Sequence, residues 1–247
     1  EAAFSLYSDE SELSVLNRER VLNDPSPLFI GLLAKARGLS ERSMGYYQPA
    51  IHAAWSAMEN DELTNELFVA ANLKNVHLSD DKVKIVNPAT QLSFNAIVQG
   101  YLADTVADSL RRLGVDSALL HLGETYGLGS HPDGRPWSLA VMGTAMNEEV
   151  DLVGTVQFSD AGLAVSNNDT QHRLLNPITG ETMVKPRVVA VVSQQGAAVA
   201  DAFATAFSVA SESDWNQLYE NLGGQQAGQV KIWRSNVLAF ENGRVFC

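Results

Sequence analysis

Asp201 and Thr205 stand four residues apart in the segment Ala200-Asp-Ala-Phe-Ala-Thr-Ala206. A helix over 198–210 places both side chains on one face, one turn apart. Val199, Ala202, Phe203, Ala206 and Phe207 then form its apolar stripe. A carboxylate and a hydroxyl with few other protein ligands suit Mg2+, which takes one or two protein oxygens and completes its octahedron with phosphate and water. The spacing alone leaves a plainer alternative open. Asp201 is also read as an acid in the first helical turn, favoured by the helix dipole, and Thr205 as a hydroxyl bonded back onto its own helix.

Other chemistries find less support. The five histidines, His52, His77, His121, His131 and His172, include no zinc-type pair and read as surface or satisfied core residues. There is no G-x-S-x-G elbow, no G-x-x-x-x-G-K-[ST] loop and no G-x-G-x-x-G after a strand. Gly127-Leu-Gly129 reads as a hairpin bulge. The single cysteine, Cys247, excludes an internal disulfide and a thiolate cage but leaves the compartment open. A net charge of −12 with no basic run argues against binding nucleic acid through its phosphates. A single nucleotide can still bind if a metal ion or backbone N–H groups offset its charge. No apolar run approaches the ~20 residues that span a bilayer, and no signal peptide is visible. The abrupt start at Ala2, Ala3, Phe4 and Leu6 is read as an N-terminal truncation, with a leader removed or an engineered start.

The elements that must position Asp201 and Thr205 follow from pattern. Composition is that of an ordinary globular chain, 45% hydrophobic and 19% charged over 247 residues, which excludes disorder and repeat arrays. Ser8 or Asp9 can cap a first helical turn, with Ser11 and Glu12 in the next. Leu28, Leu32, Leu33, Ala36 and Leu39 fall at helical spacing, and a turn over 44–49 leads to a helix with Ile51, Ala54, Trp55 and Met58. Val83, Ile85, Leu92 and Phe94 are expected on short strands around Asn87-Pro88. Leu102, Val106, Leu110 and Leu113 mark an amphipathic helix, stopped by Gly114. Strands are expected over 118–122 and from Trp137, and a hairpin at Asp160-Ala-Gly162. Arg187–Ser193 reads as a central strand. Two or three closing strands include a hairpin at Asn242-Gly243. Hairpin signals dominate the second half, so the class is α+β rather than a doubly wound parallel sheet. No linker is evident, so 1–247 is read as a single domain.

Five short motifs in order, over residues 4 to 210, resemble those of the ApbE-type FAD:protein FMN transferases. Phe4-Ser-Leu-Tyr7, with Ser11-Glu-Leu-Ser14 and Asn17, is similar to the family's F-S-x-Y…S-x-L-S-x-x-N opening. Gln99-Gly-Tyr101 with Asp104 resembles K-G-Y-x-x-D. Leu122-Gly-Glu124 and Gly134-Arg-Pro-Trp137 resemble G-G-[DE]…G…P-W. Leu175-Asn-Pro-Ile-Thr-Gly180 resembles the D-P-x-T-G turn, and 200–206 resembles A-D-A-x-A-T-A.

The resemblance implies an α+β, T-fold-like architecture with mixed or antiparallel sheets, flanking helices and FAD in a cleft between two lobes. It implies Mg2+ on Asp201, Thr205 and a backbone carbonyl near Val98, with Asp201 also the catalytic carboxylate. It places Ser5, Leu6, Tyr7, Gln48, Tyr101, Glu124 and Leu174 around FAD. The implied reaction is metal-assisted transfer of FMN from FAD to a Thr or Ser of a redox protein bearing a D-G-x-[ST]-G-A-[ST] type motif. A periplasmic or exported location is also implied, with membrane anchoring through a missing leader as one form of it. Several positions depart from the family pattern. Gln99 replaces a Lys and, with the single-Gly Gly123-Glu124, resembles the accessory branch of nitrous-oxide respiration. Gln48 replaces an Asp in the G-x-F-D-P-T turn, which here reads Gly45-Tyr-Tyr-Gln48-Pro-Ala50. Val165-Ser166-Asn167 stands for T-S-G, and Arg173, beside His172, stands for a His. The alternatives are a flavin-binding protein without transfer, a pyrophosphatase yielding FMN and AMP, and an interaction domain without flavin.

Overall fold

The structure is a computed structural model, described for residues 2–79, 81–144, 150–168, 174–183, 187–234 and 237–246. The helices are α1 (Glu12–Glu19), α2 (Pro27–Arg42), α3 (His52–Glu59), α4 (Asn65–Ala70), α5 (Val98–Arg112), α6 (Ala197–Val209) and α7 (Trp215–Leu222). The strands are β1 (Val21–Asn23), β2 (Val76–Leu78), β3 (Lys82–Ile85), β4 (Ala118–Leu122), β5 (Glu124–Leu128), β6 (Trp137–Thr144), β7 (Val150–Phe158), β8 (Ala161–Asn168), β9 (Leu174–Leu175), β10 (Thr182–Met183), β11 (Arg187–Ser193), β12 (Gly228–Arg234), β13 (Val237–Glu241) and β14 (Arg244–Val245).

The central sheet runs β14-β13-β12-β11-β8-β5-β4, and each neighbour pairs antiparallel. β11 is its axis, and all seven of its residues are buried. Successive side chains of a strand point to opposite faces. Val189 and Val191 therefore enter the main core with α2, α6 and α7. Val188, Ala190 and Val192 enter a second core under the β6–β7 hairpin, with Val141, Val156 and Phe158. Burial on both faces is why this strand reads as an unbroken apolar run rather than an alternation. The class is α+β with antiparallel sheets, as the sequence indicates. The Asn242-Gly243 turn joins β13 to β14, both residues at positive φ.

Several local expectations change. Ser11, not Ser8 or Asp9, caps α1, accepting from the Ser14 amide at 3.0 Å. Leu92 and Phe94 lie outside strands. The Asn17 side chain stands in for a strand partner, exchanging two 2.8 Å hydrogen bonds with the Leu92 backbone. The turn at Asp160 is not a paired hairpin. β7 pairs with β6 while β8 pairs with β5 and β11, so the turn carries the chain from one layer to the other. Gly127 makes no bulge: it pairs in register with Leu119, and its bare Cα leaves room for Trp137 and Phe158.

Helix α5 is turned away from most of its expected apolar stripe, of which Leu110 packs inward beside Ala103 and Ala107. Gly100, Ala103 and Ala107 are buried, while Leu102, Val106 and Leu113 are 41%, 38% and 80% exposed. Small residues win this face because α6 passes close behind it. A Cβ on Gly100 would lie 2.5 Å from the Ala197 carbonyl oxygen, and one on Gly162 of β8 would lie 2.1 Å from the Ala197 nitrogen. The start of α6 is thus pressed between a helix and a strand that both carry glycine at the contact. Gly100→Ala should cost about 1–3 kcal/mol, as overpacking of a close contact does. The urea midpoint should fall with an unchanged slope; an unshifted midpoint would mean that this contact relaxes without cost.

Candidate active site

Helix α6 is buried in twelve of its thirteen residues; only Thr205 is partly exposed. Its first amides have no cap from Gly196. Asp104 of α5 supplies one, accepting from the amides of Ala197 at 2.5 Å and Ala198 at 3.1 Å. Lys35 Nζ lies 3.7 Å from the same carboxylate. At the other end, Arg187 Nη1 donates to the carbonyls of Phe207, Ser208 and Ala210 at 2.9, 3.0 and 2.9 Å. Asn176 Nδ2 donates to the Val209 carbonyl at 2.9 Å. The Arg187 guanidinium also lies over Trp215, 5.0 Å from the ring centroid. An anion at the N-terminus and a cation at the C-terminus both match the helix dipole. Burial lowers the Arg187 pKa to about 10, so it stays charged at neutral pH.

Asp201 is the fifth residue of α6, so it is not the first-turn acid expected from the sequence; Asp104 takes that position's role from another helix. Asp201 is buried, and its Oδ2 has no hydrogen-bond partner among the described residues. Its proton affinity is held well above the ordinary carboxylate range, first by burial, then by the charge of Glu124 and, more weakly, of Asp104. The Gly100 amide at the start of α5 opposes this. Glu124 opens β5, and burial pushes it up to about 7 against a hydrogen bond from the Val165 amide.

Thr205, one turn on from Asp201, and Tyr47, which the Asp201 charge reaches, both line a cavity of about 410 Å3. Thr205 and Val209 of α6 form its floor, and the 46–49 turn, Ile51, His52 and Trp55 form one wall. Glu59, Ser93, Asn95, Ala96, Leu174 and Leu175 complete the lining, Glu59 bringing a carboxylate to it. His52 and Trp55 stack at 6.4 Å and 16°. Burial lowers the His52 pKa, so its ring is neutral near pH 7. A largely apolar, aromatic-walled space with a few polar groups suits a planar heterocycle. Tyr47 Oη is also buried without a partner among the described residues, and the Asp201 charge raises its pKa further after burial.

The residues singled out from sequence therefore divide. Gln48, Leu174 and Thr205 line the cavity. Asp201 sits one turn from Thr205, and Val98 opens α5 two residues before Gly100, whose amide faces Asp201. Glu124 acts on Asp201 through its charge. Tyr101 packs edge-on to Phe4 at 6.4 Å. Phe4 anchors the segment that follows it: Leu6 packs on the main core, and the Ser5 carbonyl accepts from the Ser11 and Ser14 hydroxyls at 2.5 and 3.0 Å. Ser5, Leu6 and Tyr7 do not line the cavity, and Tyr7 is 95% exposed. Arg173 and His172 lie outside the described residues.

Residues 1–228 match the model of the ApbE family. The chain belongs to that family. It is 29% identical over 215 residues to a FAD:protein FMN transferase of Rhodobacter capsulatus, covering 78% of this chain and 40% of the relative. The chain thus spans about two fifths of the length of the curated relatives it matches. The apo flavinyl transferase ApbE of Pseudomonas stutzeri superposes with a TM-score of 0.76 at 23% identity, over 94% of this chain and 76% of that one. The ApbE protein of Thermotoga maritima superposes with a TM-score of 0.79 at 17% identity, over 96% and 82%. These likenesses establish the ApbE fold.

One observation fits a divalent cation here: Asp201 Oδ2 is a buried oxygen without a hydrogen-bond partner among the described residues. A buried carboxylate oxygen left without a donor is costly unless something binds it. Among the described residues no three His, Cys, Asp or Glu side chains form a metal cage. A cation here would have Asp201, Thr205 and a nearby carbonyl, with phosphate and water completing its shell, which is the mode of Mg2+. Sequence reasoning did not single out Tyr47, His52, Trp55 or Arg187 as parts of the site. The one signal available was the aromatic spacing of Tyr46, Tyr47, His52 and Trp55 around Pro49.

Glu124 gives this site a pH dependence. A carboxyl that holds its proton more tightly in the folded chain contributes stability fully below the unfolded value of about 4.5. That contribution is lost as pH rises through about 7. Glu124→Gln keeps an acceptor for the Val165 amide and forms no charge. Its Tm should fall less than that of the parent between about pH 5 and 8; an equally steep fall in both proteins would remove Glu124 as the cause.

Proposed function

We propose that this chain catalyses Mg2+-dependent transfer of FMN from FAD to a Ser or Thr hydroxyl of an acceptor protein. The observation that carries the reading is the unpartnered Asp201 Oδ2, one turn from Thr205 on the floor of an aromatic-walled cavity. Membership of the ApbE family and the name of its Rhodobacter capsulatus relative support it.

The chain's own groups divide the work. The aromatic wall of Tyr46, His52 and Trp55 takes a planar ring and excludes water from it. Asp201 and Thr205, with a backbone carbonyl near Val98, would hold the cation. Bound Mg2+ supplies neutralisation of charge on the pyrophosphate and on the leaving phosphate. The acceptor oxygen forms a bond to the FMN phosphorus, and the bridging P–O bond breaks. AMP leaves with the bond's electron pair, and the hydroxyl proton passes to solvent. Because α6 is clamped at both ends, Asp201 and Thr205 keep their places without reorganisation during the step.

Incubation with FAD, Mg2+ and a peptide of the D-G-x-[ST]-G-A-[ST] type should give flavinylated peptide and AMP in equal amounts. Asp201→Asn should lower the rate by roughly 100-fold or more, the scale on which a preorganised electrostatic group acts. AMP without labelled peptide would replace transfer by hydrolysis of FAD. Bound FAD without AMP would replace it by flavin binding alone. That last reading draws on one observation: Gln48 brings no carboxylate to the cavity and turns its Oε1 back to the Ala50 amide at 3.2 Å.

A further inference from the structure

We propose that the Tyr47 hydroxyl is a binding group for the phosphate portion of the nucleotide, donating a hydrogen bond to a phosphate oxygen beside Asp201. The inference rests on the nucleotide site described above and adds a residue to it.

Tyr47 is 2% exposed and lines the cavity. Its Oη is fully buried with no hydrogen-bond partner among the described residues. The turn that carries it is fixed: the Tyr47 amide donates to Ser43 Oγ at 3.1 Å, and Ser43 Oγ donates to the Ser40 carbonyl at 3.1 Å. The ring is thus held from the end of α2 and is not free to swing its hydroxyl to water. A buried hydroxyl without a partner is destabilising, and a phenylalanine would fill the same volume without that penalty. The hydroxyl is therefore costly to the unliganded chain and is compensated by a ligand.

The neighbouring groups fix the class of that ligand. Asp201 Oδ2 is the second unpartnered buried atom at this site, and its charge reaches Tyr47. A carboxylate and a phenol that do not bond each other need a third party that answers both. A cation that took the place of the Asp201 proton would leave the carboxylate an acceptor only; the phenol O–H, a donor, calls for an anionic oxygen. A phosphate oxygen that shares the cation with Asp201 and accepts from Tyr47 satisfies both at once.

The test is binding of FAD, ADP and riboflavin to the whole chain, the first two with and without Mg2+, for the parent, Tyr47→Phe and Asp201→Asn. In Tyr47→Phe, FAD and ADP should weaken by the same factor, about tenfold or more, as for a hydrogen bond to a charged group. Riboflavin, which has no phosphate, should be unaffected. The Tm of unliganded Tyr47→Phe should equal or exceed that of the parent, since no partner is lost. Unchanged FAD and ADP binding overturns the proposal, as does loss of FAD or riboflavin affinity with ADP unchanged. A lower Tm without ligand also overturns it, because the hydroxyl would then have a partner in the free protein. If the parent binds FAD equally with and without Mg2+ and Asp201→Asn matches it, the cation reading fails, and the Tyr47 comparison still decides its own question. A parent that binds neither FAD nor ADP overturns both.

Discussion

Helices α5 and α6 meet at their N-termini, and each places a carboxylate against the other's first turn. Asp104 of α5 accepts from the Ala197 and Ala198 amides, and Asp201 of α6 faces the Gly100 amide. Neither helix is capped by the side chain of its own N-cap residue. Helix ends leave amides that must be satisfied, and two positive dipole ends brought together repel unless an anion lies between them. The crossed carboxylates answer both demands. They also require the backbones to come close, which the bare Cα atoms of Gly100 and Gly162 allow. Fold and candidate site therefore share one contact: the carboxylate that closes the helix pair is the one whose second oxygen is left for a ligand.

The rest of the core holds that contact in place. β11 is buried on both faces and presents Arg187 to the far end of α6, where three carbonyls and a Trp215 ring receive the guanidinium. Asn176 adds a fourth capping bond and, with its own Oδ1, accepts from the Ile178 and Thr179 amides at 2.8 and 3.2 Å. The 176–180 turn is thereby tied to the same helix, and Leu174 and Leu175 just before it reach the cavity wall. One helix fixed at both ends thus positions a wall residue, a floor hydroxyl and a buried acid together.

What the residues alone disclose, and what they hide, follows the range of the interactions. Period and turn chemistry are local, so α2, β4, β11, the closing strands and the Asn242-Gly243 hairpin are legible. The ordered motifs make the family legible and, through it, Asp201 and Thr205. Three features depend on distant partners and are not legible. Asn17 acts as a strand partner for Leu92 across 75 residues. Arg187 reads as the edge of a strand yet caps a helix. Helix α5 buries Ala103 and Ala107 and exposes Leu102 and Val106 because α6 needs the space, which departs from the usual reading of an apolar stripe. Tyr47 and His52 are hidden for another reason: aromatic residues at a turn and a helix start are common in cores, and only the cavity beside them distinguishes these two.

The acidity of the site also bears on its substitutions. Burial and the charges of Glu124 and Asp104 work against an ionised Asp201, and the Gly100 amide opposes them. A cation bound here would take the place of the proton and offset the neighbouring carboxylates, and a ligand that favours the folded state stabilises it by mass action. A further carboxylate on the 46–49 turn would add to the repulsion. Gln48 brings none, and its Oε1 is engaged by the Ala50 amide. The neutral side chain at this position adds no charge to that of Glu59 on the same cavity, and on the proposed reading Asp201 is the carboxylate that would hold the cation. On the same reading a phosphate would need a donor, and the turn that lacks an acid at position 48 carries at position 47 a phenol whose hydroxyl has no partner among the described residues.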